Sequence, residues 1–415
     1  MREKSFKEKA NDITGTVTII HPIPIFGDKM GGVESVIKNL IARGPDDLNI
    51  NLIGVSADRI RHRPGMWHDC TWGDKKIRFF PVLHLSHPNR KTFIPLSLLF
   101  LLGIIIYYRR IRREIAGSLL NFHRIESTLP FLWSPESCVL CLHVDREDIL
   151  NPDCETRWKK LTSLRSRFEE LVFKKMTMII SVTRVWRDRY RTLFPEISDR
   201  FVFLPVGVDL NVFFPFPPDR RKAVREKFFR EHNLKPTEKI IIFVGRLEGQ
   251  KNPDLLIRSF HGCRELVQDL TLVIIGEGSL RPSIESTIKD MELTEKVIFL
   301  GKIETPDMIA VLNISSLAIL TSSFEGRPST ILEALACGIP VVSTDVGDVR
   351  SLIKDGFNGR IVNSFDPGVI AETVFEVLNA PEKYHWTKII DSVQLFHVDA
   401  VYAQYHQFFR ELIYD

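Results

Sequence analysis

The sequence predicts an α/β protein of two doubly wound domains, each a parallel sheet with helices on both faces. Three observations carry that prediction. Short strand-like runs alternate with helix-length segments along the whole chain. The runs are continuously apolar and rich in β-branched residues, as expected of strands buried on both faces. The chain's 415 residues exceed what one core holds and suit two domains of about 200 residues each.

Taken in order, the strands of the first half are "TVTIIH" (16–21), "NINLIGVS" (49–56), "KIRFFPV" (76–82), "LLNFHRI" (119–125), "VLCLHV" (139–144), "MTMIISV" (176–182) and "RFVFLPV" (200–206). Between the first two, Gly31-Gly32 open a helix whose apolar positions Val33, Val36, Ile37, Leu40 and Ile41 form one stripe, and Gly44 ends it. The stretch 211–229 has three prolines among aromatic and charged residues and reads as the linker. The second half supplies "KIIIFVG" (239–245), "TLVIIGE" (271–277), "KVIFLG" (296–301), "SLAILT" (316–321), "PVVSTD" (340–345) and "GRIV" (359–362). The expected domains are therefore 1–211 and 212–385, with 386–415 as an amphipathic terminal segment packing back toward the first domain. Ligands of such sheets bind beyond the carboxyl ends of the strands, so each domain offers one edge, and two facing edges make a cleft.

Composition excludes several classes. Net charge is +4, from 56 Lys+Arg against 52 Asp+Glu, dispersed along the chain, which gives no basis for nucleic-acid binding. The opening "MREKSFKEKANDITG" is polar and has no apolar signal segment, so export is not expected. Cys138 and Cys141 have the C-x-x-C spacing, but "SCVLCLHVD" reads as a buried strand with no second Cys/His pair nearby. Core cysteines in a reduced compartment fit better than a metal site. The apolar run 93–108, "FIPLSLLFLLGIIIYY", is followed by "RRIRR". It falls short of the roughly 20 residues needed to cross a bilayer. It reads as a buried helix with a solvated basic end, or as a helix resting on an anionic leaflet.

Four stretches hold candidate chemistry. In "VGRLEGQK", Arg246 and Lys251 follow a strand's carboxyl edge and suit two phosphoryl groups, although a solvated loop would also carry such cations. In "EGRPSTILEALACGIPVV", a loop with Glu325, Gly326 and Arg327 leads into a helix that Pro328 begins and Gly338 and Pro340 stop. Unpaired amides at Ser329 and Thr330 would form an anion site. Glu333, one turn in, would accept hydrogen bonds from vicinal hydroxyls, and Glu325 from a second set across the phosphates. Gly31 and Gly32 allow close approach of a ligand at a helix N-terminus, without the G-x-G-x-x-G spacing of a nicotinamide site. His143 ends a strand, where it contacts a sugar or is a satisfied polar group. "GEGS" (276–279) is a turn too short to be a phosphate loop.

Together these residues resemble the retaining group 1 glycosyltransferases of GT-B fold, which have two Rossmann-like domains. The resemblance covers nearly the whole chain and is strongest over 201–362, through "LPVGVDLNVFFP", "GRLEGQKNPD", "VIIGEGSLRPSIE", "VIFLGKI" and the E-x7-E pattern of Glu325 and Glu333. It implies transfer of a sugar from a nucleotide diphosphate to a glycan or lipid-linked hydroxyl, a UDP-sugar being favoured over a GDP-sugar, in cell-surface polysaccharide or glycolipid synthesis. By resemblance, Arg246 and Lys251 grip the diphosphate with the amides of Gly326, Ser329 and Thr330, Glu333 binds the ribose, and Glu325 binds the sugar. Gly32 and His143 face them from the first domain, and Arg327 adds a phosphate contact or replaces packing. No metal or other cofactor is expected. The expected setting is cytoplasmic, peripheral on the inner face of the membrane, with no nucleic-acid partner. Val206 stands where the family has Asn, Arg327 where an apolar residue is common, and Val398 where many members carry Trp. The alternatives are a sugar-nucleotide 2-epimerase, which would draw on His143 and Asp145, and a sugar-nucleotide-binding partner without catalysis.

Overall fold

The computed structural model describes residues 15–24, 32–58, 60–85, 94–143 and 162–414, the side chains of 162–165 excepted. Gly31, Phe93 and Asp145 lie outside the described residues. The chain forms two compact units. Of the described residues, those up to His143, 162–205 and 399–414 belong to the first, and 206–398 to the second.

The first unit has strands β1 (Gly15–Pro24), β2 (Leu48–Ser56), β3 (His68–Trp72), β4 (Lys75–His84), β5 (Leu119–Phe122), β6 (Cys138–Leu142), β7 (Met178–Ser181) and β8 (Phe201–Phe203). Helices α1 (Gly32–Ala42), α2 (Leu96–Ile115), α3 (Thr162–Lys175) and α4 (Arg184–Leu193) cover them. Spatial order is β3-β4-β2-β1-β5-β6-β7-β8, parallel except for β3. Strand β1 pairs with β2 on one side and β5 on the other, so the winding direction reverses at the β1/β5 gap. Every residue of β5 and β6 is buried, as their apolar residues require, and Asn121 of β5 is the polar one among them. Cys138 and Cys141 are buried free thiols of β6.

Strand β3 has no counterpart among the expected strands. It is an antiparallel edge strand, joined to β4 through Gly73-Asp74, and none of its residues is buried. An alternating half-exposed run of five residues lacks the apolar density that marks the other strands; the Gly-Asp pair was its only signal.

Helix α2 is not buried all round. Phe100, Gly103, Ile104, Ile111 and Ile115 pack inward, with Gly103 close against Val82 of β4. Leu98, Leu102, Ile105 and Ile106 face solvent, Ile106 at 74% exposure, and Trp133 nearby in sequence to the 125–131 turn is 78% exposed. No helix among the described residues is long and apolar enough to cross a membrane.

The second unit holds β9 (Lys239–Val244), β10 (Leu270–Ile275), β11 (Val297–Gly301), β12 (Leu317–Leu320), β13 (Val341–Thr344) and β14 (Gly359–Val362), all parallel, in the order β11-β10-β9-β12-β13-β14. Its helices are α5 (Pro218–Glu231), α6 (Pro253–Leu266), α7 (Arg281–Asp290), α8 (Thr305–Ile314), α9 (Ser329–Ala336), α10 (Val349–Leu352), α11 (Pro367–Leu378) and α12 (Trp386–Asp391). Helices α6 and α11 start as their sequences dictate. Asn252 and Asp366 cap them with side-chain oxygens, each followed by a proline at a position where its missing N–H costs nothing.

The proline-rich stretch expected as a linker belongs to the second unit's packing. Phe216 is buried, its amide donates to Asn313 Oδ1 (2.6 Å), and Asn313 Nδ2 donates to Phe214 O (3.1 Å). The chain instead changes unit between Pro205 and Val206, and again between Val398 and Asp399. Helix α13 (Val398–Tyr414) therefore runs almost wholly in the first unit, while 386–398 stay with the second. Its Tyr402, Tyr405 and Phe409 are buried, His406 Nε2 meets Leu40 O (3.0 Å), and Arg410 pairs with Asp47.

Candidate functional site

In the second unit, winding direction reverses between β9 and β12, since β10 and β11 lie to one side and β13 and β14 to the other. A crevice at such a switch point is where open α/β sheets bind ligands. The loops leaving β9 and β12 are tied together there. Ser323 N donates to Gln250 O (2.9 Å), and Thr321 Oγ1 to the carbonyls of Lys251 (3.1 Å) and Asn252 (3.2 Å).

These ties bring the predicted residues into one polar chain. Lys251 Nζ lies 2.5 Å from Glu325 Oε1, which also accepts from Ser322 Oγ at 2.7 Å. Gln250 Nε2 reaches Glu325 Oε2 (3.5 Å) and Phe324 O (3.3 Å), and its Oε1 accepts from Arg246 Nη2 (3.2 Å). Arg246 is exposed, whereas Glu325 is only 6% exposed. Gln250 and Ser322 were not singled out from sequence, although both lie within the quoted motif and its preceding strand end.

Helix α9 starts after Pro328 with no side chain capping its first turn. Its leading amides, those of Ser329 and Thr330, carry the positive end of the helix dipole. Ser329 does not cap; its hydroxyl bonds to Glu333. The Thr330 hydroxyl is buried without a hydrogen-bond partner beside Ile242, Leu320 and Ala334, so only the backbone of Thr330 remains for an anion.

Arg327 does not face the crevice. Its side chain is inaccessible to solvent, its Nη1 is bonded to Asp348 and Ser351, and its guanidinium lies over Phe396. The expectation of a phosphate contact there is corrected to a buried ion pair; the charge at a position expected to be apolar is matched by an acid in "STDVGD".

Two glycines set the loop shapes. Gly276 has φ +137°, and a Cβ on it would stand 1.9 Å from Gly245 O; Gly347 has φ +54°, and a Cβ would stand 2.0 Å from Glu325 O. The "GEGS" turn thus supports the Arg246 loop, with Leu247 N donating to Glu277 O (3.1 Å) and Ser279 to the Glu248 carboxylate. Any side chain at these glycines would displace backbone that carries the site.

Burial drives the Glu333 carboxyl up to about 7, against the lowering effects of the Ser329 hydroxyl and of Lys251. The charge of Lys251 therefore reaches both acids. A folded pKa above the unfolded value of 4.5 gives stability that is full below 4.5 and lost as pH rises through about 7. Glu333→Gln is expected to stabilise the protein above pH 7 by about 2–3 kcal/mol, and to flatten the fall of stability between pH 4.5 and 7, in urea titrations at several pH values.

In the first unit, the polar residues collect at the other switch point. His21 lies in the second half of β1, His123 follows β5, His143 follows β6, and Glu34 lies in the first turn of α1. His21 Nε2 is 3.9 Å from Glu34, and burial lowers the His21 pKa. Gly32, the first residue of α1, is exposed, with nothing within 4 Å of where its Cβ would stand.

The chain is similar to known proteins in sequence and in fold. Residues 224–388 match the sequence profile of the glycosyl transferases group 1. Over these residues, within the second unit, the chain is similar to the group 1 glycosyltransferases. Among curated relatives, the GDP-mannose-dependent alpha-(1-6)-phosphatidylinositol monomannoside mannosyltransferase of Mycolicibacterium smegmatis is 28% identical over 236 residues, 55% of this chain and 60% of its own. The D-inositol 3-phosphate glycosyltransferase of the same organism is 30% identical over 220 residues, 52% of this chain and 48% of its own. The match thus spans about half of the length of these relatives. Among solved structures, sucrose-phosphate synthase from Thermosynechococcus elongatus superposes over 96% of this chain and 99% of its own, with TM-score 0.76 and 18% identity. Anabaena HepE in complex with UDP-glucose covers 95% and 99%, with TM-score 0.68 and 16% identity. The fold of the chain is GT-B, two Rossmann-like parallel-sheet units.

Proposed function

We propose that this glycosyltransferase moves a sugar from a nucleotide diphosphate to a hydroxyl of a glycan or lipid-linked acceptor, with retention of configuration. The observation that carries the reading is the switch-point crevice of the second unit. Two cations, Arg246 and Lys251, and the uncapped start of α9 converge there, with Glu325 and Glu333 flanking them.

In this mechanism the diphosphate draws Lys251 from Glu325, freeing that carboxylate to accept hydroxyls of the transferred sugar. Glu333 accepts the ribose diol, and the amides of Gly326, Ser329 and Thr330 hold phosphate oxygens. Fixed positive groups then stabilise the departing diphosphate with little reorganisation, a role that elsewhere falls to a metal ion. The acceptor enters on the leaving-group side and gives its proton to a phosphate oxygen, so no glycosidase-like carboxylate pair is used. His143 and Gly32 serve the sugar from the first unit, with Gly31 in the same motif.

A UDP-sugar is the favoured donor, in line with the UDP-glucose of the HepE complex, while the GDP-mannose in the mycobacterial relative's name makes the guanine donors the necessary comparison. A panel of UDP- and GDP-sugars, read by acceptor-dependent nucleotide release in the presence and absence of chelator, tests the reading, and the anomeric coupling of the product tests retention. Epimer formation, or binding without turnover with any acceptor, would replace it.

The acceptor side fits a membrane surface. The exposed stripe Leu98, Leu102, Ile105 and Ile106 of α2 continues into Arg109, Arg110 and Arg113, the pairing of apolar anchors and cations that suits anionic headgroups. The protein is expected to float with phosphatidylglycerol vesicles and much less with neutral ones. Ile105→Asp with Ile106→Asp should cut the floated fraction about tenfold without lowering Tm. No flotation with anionic vesicles would remove the membrane from this reading.

A further inference from the structure

Three histidines stand toward the carboxyl ends of the neighbouring strands β1, β5 and β6, and two form a directed chain. His123 Nε2 lies 2.8 Å from Asn121 Oδ1, and His123 Nδ1 lies 2.9 Å from His143 Nε2. The other amide atom, Asn121 Nδ2, donates to Cys141 Sγ at 3.4 Å, which turns the amide oxygen toward His123. An amide oxygen can only accept, so the proton of His123 is on Nε2. A neutral His123 then has a bare Nδ1, and His143 Nε2 donates to it. His143, with its one proton committed there, is left with a bare Nδ1.

Neutrality of both rings follows from their surroundings. His123 is fully enclosed, and burial holds its pKa well below the usual imidazole range, with His143 and His21 pushing the same way. Burial takes His143 down to about 3, helped by His21 and Arg124 and opposed by Glu34. The two rings are nearly coplanar, their planes 17° apart and their centroids 5.2 Å apart, as an in-plane hydrogen bond requires, and His21 stands edge-on to His123 at 6.0 Å. Neither ring of the chain is positioned to rotate without losing a hydrogen bond.

We propose that Asn121 and His123 are positioning residues that fix the tautomer of His143, so that its Nδ1 accepts a hydrogen bond from a hydroxyl of the transferred sugar. This rests on the glycosyl-transfer reading. As the diphosphate leaves, positive charge builds on the sugar ring. An imidazolium, or an N–H aimed at the hydroxyl oxygen, would oppose that charge. A neutral acceptor draws on the hydroxyl proton instead and leaves electron density on the ring.

The test uses the full chain labelled with 15N-histidine, with His143→Gln identifying the His143 signals. Long-range proton–nitrogen correlation is expected to show the parent's His143 protonated at Nε2 alone. Asn121→Leu should populate both tautomers and lower kcat about tenfold, with donor KM changed less than twofold. Asn121→Asp, which keeps an acceptor oxygen toward His123, should hold the single tautomer and most of kcat. His123→Phe provides the same comparison should the leucine variant not fold. A proton on His143 Nδ1 in the parent, or an unchanged tautomer ratio and kcat in both Asn121→Leu and His123→Phe, overturns the proposal. If the parent transfers no sugar with any donor and acceptor, the glycosyl-transfer reading fails and the role assigned to His143 fails with it. The nitrogen spectra would then decide the tautomer by themselves.

Discussion

Lys251→Ala is expected to lower kcat for sugar transfer by about 10²–10³-fold, the loss typical when one fixed charge-stabilising donor is removed. Its ammonium acts on both acids of the crevice, bonded to Glu325 and opposing the rise that burial imposes on the Glu333 pKa. The substitution also carries a structural penalty, because Glu325 is left buried with only Ser322 and Gln250 as partners. An uncompensated buried carboxylate costs a few kcal/mol. Two companions separate chemistry from folding. Lys251→Ala with Glu325→Gln removes the orphaned charge and should recover most of the lost Tm without recovering kcat. Arg246→Ala alters an exposed side chain that donates to Gln250. It should leave Tm within about 1 °C while lowering kcat/KM for the donor at least tenfold. A Lys251→Ala enzyme with undiminished kcat would remove this residue from the transfer step.

The second large effect concerns stability. Arg327→Leu is expected to destabilise the second unit by about 3–5 kcal/mol, since it strands Asp348 in the interior. Asp348→Ala should cost a similar amount by stranding the guanidinium, which has no solvent exposure at all. Both read as a fall in Tm of about 10 °C, at roughly 2–4 °C per kcal/mol for a unit of this size. Arg327→Leu combined with Asp348→Val removes both charges, and the double variant should lie within about 2 kcal/mol of the parent. A double-mutant cycle by urea unfolding measures this directly. Additive losses would mean that the pair is not the reason for the charge at 327. Because the side chain points away from the crevice, nucleotide affinity of the folded double variant should change less than threefold.

Much of this was readable from the chain because the physics was local. Continuous runs such as "KIIIFV" and "TLVII" have nowhere to go but the inside of a parallel sheet, and all thirteen expected strands correspond to strands of the two sheets. Arg246, Lys251, Glu325 and Glu333 were legible because strand ends and helix starts are where doubly wound sheets place ligands. What escaped depended on partners distant in sequence. Phe214 and Phe216 look like linker residues until Asn313, about a hundred positions later, satisfies the backbone between them. Arg327 looks like a phosphate ligand until Asp348 is seen under it. The value of Gly276 lies in the carbonyl of Gly245, on a different strand end, and no single segment contains both. His123 is ordinary as a lone residue after a strand, because its hydrogen bonds to Asn121 and His143 form only in the folded sheet.

The return of α13 to the first unit has a consequence for how the molecule is made. Residues 399–414 emerge from the ribosome only after all of the second unit, yet they supply Tyr402, Tyr405, Phe409 and the Arg410–Asp47 pair to the first. The usual order, in which the amino-terminal domain finishes first during translation, is reversed here. The second unit can close on itself while the first waits with the seat of its final helix unfilled. Chains halted near residue 398 would therefore present that apolar seat to chaperones and proteases, even though the second unit is already complete.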